Sequence, residues 1–106
     1  MRIASWNVNS VRTRLSQVLA WLEREQPEVL CLQETKVDDA LFPREAFEAL
    51  GYSCAISGQK AYNGVAIVSR PPLADVQIGL DALLPADAQA TRLSEQKRVI
   101  SALIEG

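Results

Sequence analysis

Residues 2–8, RIASWNV, are apolar enough for a strand, and residues 29–33, VLCLQ, form a second, continuous apolar run. Between them Val11, Leu15, Val18, Leu19 and Leu22 recur at helical spacing and make one apolar stripe. Asn9 or Ser10 can cap the start of that helix, because a short polar side chain accepts a bond from a free helix N–H. Pro27 ends it, since proline has no N–H to give the preceding turn. Strand, helix and strand within about thirty residues make a βαβ unit, which closes right-handed with its strands parallel. This pattern sets the class as α/β. A parallel pair also brings the C-terminal ends of both strands to one edge of the sheet, where α/β proteins build sites.

The remaining pattern is looser. A short helix is expected over Arg44–Leu50, with Ala46, Phe47 and Leu50 inward and Gly51 as its C-cap. Tyr52–Ser57 and Gly64–Ser69 read as strands, with Asn63-Gly64 a turn signal that does not by itself require a two-residue hairpin. Pro71-Pro72 breaks the chain before a strand over Leu73–Gly79. Asp81–Gln96 lacks periodicity and reads as loop. Arg98–Ile104 reads as a last strand, with Val99, Ser101 and Leu103 alternating along it. The sequence then ends at Glu105-Gly106 with neither cap nor linker, which reads as a cut.

At 106 residues, 48% of them hydrophobic and 23% charged, the sequence fits one soluble globular domain. Eleven basic and 13 acidic residues leave a net charge of −2, so any nucleic-acid affinity must come from a local basic patch. Met1–Trp6 reaches the polar Asn7 too soon for a signal peptide, and no apolar run is long enough to span a bilayer, so no membrane partner is expected. Cys31 and Cys54 lack metal-type spacing and read as buried reduced thiols, which suits a cytoplasmic protein. Histidine is absent from the sequence. That excludes Ser-His and Cys-His nucleophile systems and His-ligated zinc here. General-base work falls to Asp, Glu, Lys or Tyr, or to a histidine on polypeptide not contained here.

Two oxygen-bearing side chains meet the topological requirement for a site. Asn7 closes the first strand and Glu34 follows the second directly. One carboxylate and one amide suit Mg²⁺, which takes few protein ligands and fills its other positions with water and phosphate oxygens. A glutamate after a strand is equally a solvated edge residue or a helix cap, and the residues alone leave these alternatives open.

The motifs WNVNSVR (6–12), LQETK (32–36) and YNGVAIVS (62–69) stand in the order and spacing of the exonuclease III and apurinic/apyrimidinic endonuclease family. LFPREAFEALGY (41–52), SGQK (57–60) and QKRVISA (96–102) also resemble segments of that family. The resemblance implies the N-terminal half of a four-layer α/β sandwich of the deoxyribonuclease I-like kind, a mixed sheet with helices on one face. Residues 1–106 would then be the N-terminal part of a single domain more than twice this length, supplying roughly one sheet and leaving its other apolar face open to self-association. By the same resemblance, Glu34 is the metal-binding carboxylate, with Asn7 beside it in the metal and catalytic network. Arg12, Lys36, Lys60, Tyr62, Asn63 and Arg98 match positions that touch the DNA backbone. Cations neutralise phosphate, and Tyr and Asn add neutral hydrogen bonds without reading sequence.

The implied parent is a base-excision-repair hydrolase acting as a 3′–5′ exonuclease and abasic-site endonuclease. It would use Mg²⁺, with Mn²⁺ as the alternative, on double-stranded DNA with abasic sites or 3′ ends. The family's Asp-x-Asn and Asp-His elements have no match in these residues, so the segment carries half a site and is expected to be inactive without the C-terminal half of the domain. Two other readings stay open: a DNA-binding or assembly module that pairs with a separate second half, and a superfamily phosphatase acting on inositol phosphates or lipids.

Overall fold

In the computed structural model, residues 1–79 and 97–104 are described; the loop expected over Asp81–Gln96 lies outside them. The βαβ unit forms as the pattern requires. Strand β1 (Ile3–Asn7) leads into helix α1 (Val11–Glu25) and back to β2 (Val29–Gln33), and the two strands pair in parallel from Ile3↔Val29 to Asn7↔Gln33. Of the two candidate caps, Ser10 takes the position: its hydroxyl accepts from the Thr13 N–H at 3.3 Å. The helix ends at Glu25, two residues before Pro27, and the capping Gln26 turns left-handed (φ 47°) and returns its N–H to the Leu22 carbonyl.

Helix α2 (Arg44–Glu48) is shorter than its apolar pattern suggested, because the chain tightens into a left-handed exit at Gly51 (φ 89°). There the Gly51 N–H reaches the Glu48 carbonyl and the Tyr52 N–H the Phe47 carbonyl, the paired bonds of a Schellman closure. β3 (Ser53–Ser57) and β4 (Val65–Ser69) then pair antiparallel, joined by residues 58–64, with Asn63-Gly64 at the end of that connection. β4 also lies antiparallel to β2, which gives a mixed four-stranded sheet ordered β1-β2-β4-β3.

The parity of each strand decides the two faces. Leu30 and Leu32 of β2, Ala66 and Val68 of β4, and Ala4 and Trp6 of β1 turn towards α1 and α2. They meet the buried stripe of Val11, Val18 and Leu22, and Phe47, which stacks on Phe42. The opposite face carries Val29, Ala55 and Ile67, and here the structure corrects the expectation of one sheet with an open face. β5 (Leu73–Ile78) and β6 (Ile100–Ile104) form a second, two-stranded antiparallel sheet. Leu73, Ile100, Ala102 and Ile104 pack on that face.

The inward side of β6 is therefore 100, 102 and 104, while Ser101 and Leu103 face out. β1 remains outside this cover: Ile3 is 62% exposed and Ser5 and Asn7 are exposed on the same side. Both cysteines are free, Cys54 buried and Cys31 half-buried. Burial pushes both thiols up, Cys54 to about 11, which leaves them protonated and unreactive at neutral pH. Among the described residues no helix is long and apolar enough to cross a membrane.

Phe47 is fully buried at the centre of the α-side core. Phe47→Ala should cost about 3–5 kcal/mol of folding free energy, read as a lowered urea midpoint with little change in slope.

Candidate functional site

The parallel pairing of β1 and β2 brings Asn7 and Glu34 to one sheet edge, and their side chains touch: the Asn7 Nδ2–H donates to Glu34 Oε2. The other end of the Asn7 amide is also engaged, since its Oδ1 accepts from the Asn9 N–H at 3.1 Å. These two contacts fix which way the amide points.

Glu34 opens a three-residue segment, Glu34-Thr35-Lys36, that is clamped from both sides. The Ser10 and Val11 N–H groups, at the start of α1, donate to the Glu34 and Thr35 carbonyls at 2.8 and 3.0 Å. The Thr35 and Lys36 N–H groups donate to the Gly64 and Asn63 carbonyls at 3.2 and 2.9 Å. Held this way, Glu34 (φ 54°) and Lys36 (φ 57°) sit in the left-handed region that side chains other than Asn and Gly seldom adopt. Between them Thr35 is fully buried. Gly64 (φ 95°) faces it so closely that any Cβ there would overlap Thr35 Oγ1.

Charge gathers on this segment. Lys36 Nζ lies 3.6 Å from Glu34 Oε1 and donates to Asn9 Oδ1. Asn9, a second candidate cap, thus binds Lys36 while Ser10 caps the helix. Glu34, Asn7, Asn63 and Arg98 line one cleft of about 240 Å³ together with Gln33 and Lys97. The Glu34 carboxyl is held below the usual carboxylate range, first by the Asn7 hydrogen bond and further by the Lys36 and Arg98 charges, against a partial loss of solvent. It is therefore an anion at neutral pH with neutral and cationic neighbours.

Of the residues singled out in the sequence, Asn7, Glu34, Lys36, Asn63 and Arg98 come together. Arg12 is exposed in the first turn of α1, and Lys60 and Tyr62 are exposed on the 58–64 connection. Among the described residues these three make no hydrogen bond to Asn7 or Glu34, and they do not line the cleft. Three residues of the site escaped the sequence reading. Gln33 lines the cleft and donates to Ser5 Oγ at 3.0 Å across the parallel pair. Lys97 lines it as well, and its carbonyl accepts from the Gly64 N–H at 3.0 Å. Thr35 had a visible signal, a short polar residue between two charged ones in LQETK, but its burial depends on Gly64, at the end of the distant 58–64 connection.

Comparison with known proteins gives a consistent relationship. Residues 4–104 match the family described as the endonuclease/exonuclease/phosphatase family. Exodeoxyribonuclease III of Haemophilus influenzae is 38% identical over 99% of this chain, which spans 36% of that protein. Among solved structures, an AP endonuclease from Archaeoglobus fulgidus superposes with a TM-score of 0.87 at 42% identity, covering all of this chain and 38% of that one. A 3′–5′ exonuclease from Neisseria meningitidis gives 0.86 at 48% identity, over 99% of this chain and 38% of that one. The chain thus spans just over a third of the length of these relatives.

Two outcomes follow from the geometry. Because the folded Glu34 pKa is depressed, its stabilising contribution is complete above the unfolded carboxylate value of roughly 4.3. It is lost as the pH falls through the folded value. A carboxyl ¹³C titration should place the Glu34 midpoint below that of a free glutamate, and Asn7→Ala should raise it. Gly64→Ala combines a positive φ with the Thr35 overlap and should destabilise by more than ~1 kcal/mol. Chemical denaturation reads this loss, and amide shifts of Thr35 and Lys36 should move with it.

Proposed function

The chain belongs to the endonuclease/exonuclease/phosphatase family, matched over residues 4–104, and from that premise we propose that it is the N-terminal part of a single-domain DNA-repair nuclease of the exonuclease III kind. The supporting observation is the Asn7–Glu34 pair, set at the shared end of two parallel strands and flanked by Lys36, Arg98 and Lys97. A carboxylate kept ionised and partly exposed beside cationic side chains is suited to a polyanionic substrate. The relatives named above as exodeoxyribonuclease III, AP endonuclease and 3′–5′ exonuclease support the same reading. The substrate is duplex DNA with abasic sites or 3′ ends, and the reaction is hydrolysis of a phosphodiester bond.

The donor set fits a hard divalent cation. Glu34 offers one partly exposed carboxylate, paired on one side with Lys36, which leaves most coordination positions of a bound cation to water and phosphate oxygens. That pattern suits Mg²⁺, with Mn²⁺ as a substitute, since Mg²⁺ keeps several waters and takes one or two carboxylates. Glu34 holds the cation and Asn7 orients the carboxylate through Oε2. When bound, the cation supplies Lewis-acid polarisation of the phosphate and charge stabilisation of the leaving oxygen. Arg12, Lys36, Lys60 and Arg98 neutralise backbone phosphates, and Tyr62 and Asn63 add hydrogen bonds that position the duplex without reading its bases. The proton transfers fall to groups on the remainder of the domain, which also completes the sheets around β1. The two protonated free thiols suit a reducing, cytoplasmic setting.

In the full-length protein, Glu34→Gln should keep the fold and abolish metal-dependent cleavage of an abasic duplex, because a neutral amide is a poor Mg²⁺ ligand. Asn7→Ala should lower activity by roughly 10–100-fold, the range for removing a group that orients a ligand. Unchanged turnover in Glu34→Gln would refute the assignment, and cleavage of inositol phosphates in preference to abasic DNA would move the protein to another branch of the family. Arg12→Ala or Lys36→Ala should weaken DNA binding alike across sequences and reduce the salt dependence by roughly 0.9 log units per log of salt.

A further inference from the structure

The polar contacts at the cleft close into a ring. Asn7 donates to Glu34 Oε2, the Asn9 N–H donates to Asn7 Oδ1, Lys36 Nζ donates to Asn9 Oδ1, and the same Nζ stands 3.6 Å from Glu34 Oε1. We infer that Asn9 is a positioning residue that holds the Lys36 ammonium off the Glu34 carboxylate and so keeps Oε1 open to a divalent cation. The inference rests on the reading of Glu34 as a cation ligand.

The ring has one uneven side. A charge-assisted N–H···O⁻ bond closes at roughly 2.7–2.9 Å, so at 3.6 Å Lys36 and Glu34 Oε1 form an ion pair that stops short of that contact. The lysine stem is long enough to close that gap. What holds it back is the Asn9 carbonyl oxygen, which takes one ammonium proton. Asn9 is suited to this in two ways. Its amide is neutral, so it binds the ammonium without adding a second anion that would pair with Lys36 permanently. Its backbone (φ 45°) lies in the left-handed region that asparagine tolerates, which directs the side chain towards Lys36 while the N–H still reaches Asn7. Asn9 therefore acts on Glu34 from both sides: through Asn7 it fixes Oε2, and through Lys36 it keeps the ion pair to Oε1 long. Without the Asn9 side chain, Lys36 falls onto Oε1 and competes with the cation.

The test is a Mn²⁺ titration of the full-length protein, followed by electron paramagnetic resonance of the free ion, with Asn9→Gly, Lys36→Met and their combination. Glycine keeps the N–H and the positive φ and removes only the side chain. Asn9→Gly should weaken Mn²⁺ binding by roughly two- to fivefold, the range of a partly exposed ion pair. Lys36→Met should bind at least as tightly as the wild type, and in that background Asn9→Gly should have no further effect, as a double-mutant cycle requires of a residue acting through its neighbour. Wild-type affinity in Asn9→Gly, weaker binding in Lys36→Met, or an equal loss in the combined variant would each overturn the inference. Glu34→Gln separates the two layers: if it leaves Mn²⁺ binding intact, the cation-site reading itself fails, whatever Asn9 does.

Discussion

Four backbone hydrogen bonds on the Glu34-Thr35-Lys36 segment set the rest of the site. Two come from the start of α1 and two lead to Asn63-Gly64, so a short stretch after β2 is tied to the first crossover and to the entry of β4. A free chain end after a strand would let a glutamate sample solvent. Here the carboxylate leaves a backbone held in an uncommon conformation, and its direction is set before any ligand arrives. Such preorganisation avoids reorganisation at the moment of binding. Thr35 is the pivot: its carbonyl and N–H serve the two sides of the clamp, and its hydroxyl fills the space that only a glycine at 64 leaves.

The clamp also explains why the apolar core and the polar site depend on each other. Val11 contributes its side chain to the core under α1 and its N–H to the Thr35 carbonyl. Val8 is buried in the same core and donates to the Gln33 carbonyl. Packing of the helix on the sheet thereby fixes the distance between β1 and the Glu34 segment. A loss of packing some way from the cleft would loosen Asn7 against Glu34 without touching either residue.

The βαβ unit was legible because its two periods are clean: a continuous apolar run for a strand covered on both faces, and one stripe for a helix covered on one. The meeting of Asn7 and Glu34 followed from that topology alone, before any side-chain geometry. The second sheet was harder to read. β5 is exposed along nearly its whole length after Leu73 and carries a register shift between Ala74 and Gln77, so no alternation marks which side is inward. β6 does alternate, but its inner side is decided by Val29, Ala55 and Ile67 on another sheet, and a strand read alone offers two equivalent phases. The uncommon backbone at Glu34 and Lys36 left no trace in the sequence, because neither residue type signals a left-handed turn. It is imposed by tertiary hydrogen bonds.

The charge distribution shows how an acidic chain gathers cations around a carboxylate. The net charge of −2 offers no long-range attraction, so the sign at the cleft depends on local placement. Among the described residues, Lys36, Lys97 and Arg98 stand around the Glu34 carboxylate, while the amides of Asn7, Gln33 and Asn63 supply polarity without charge. Among the described residues that line the cleft, Lys97 and Arg98 are the cations and Glu34 is the carboxylate. A second carboxylate in place of one of these amides would offset part of that positive charge and offer Lys36 a permanent anionic partner. The amides keep the orienting hydrogen bonds and spare the charge, and Glu34 remains an anion with neutral and cationic neighbours.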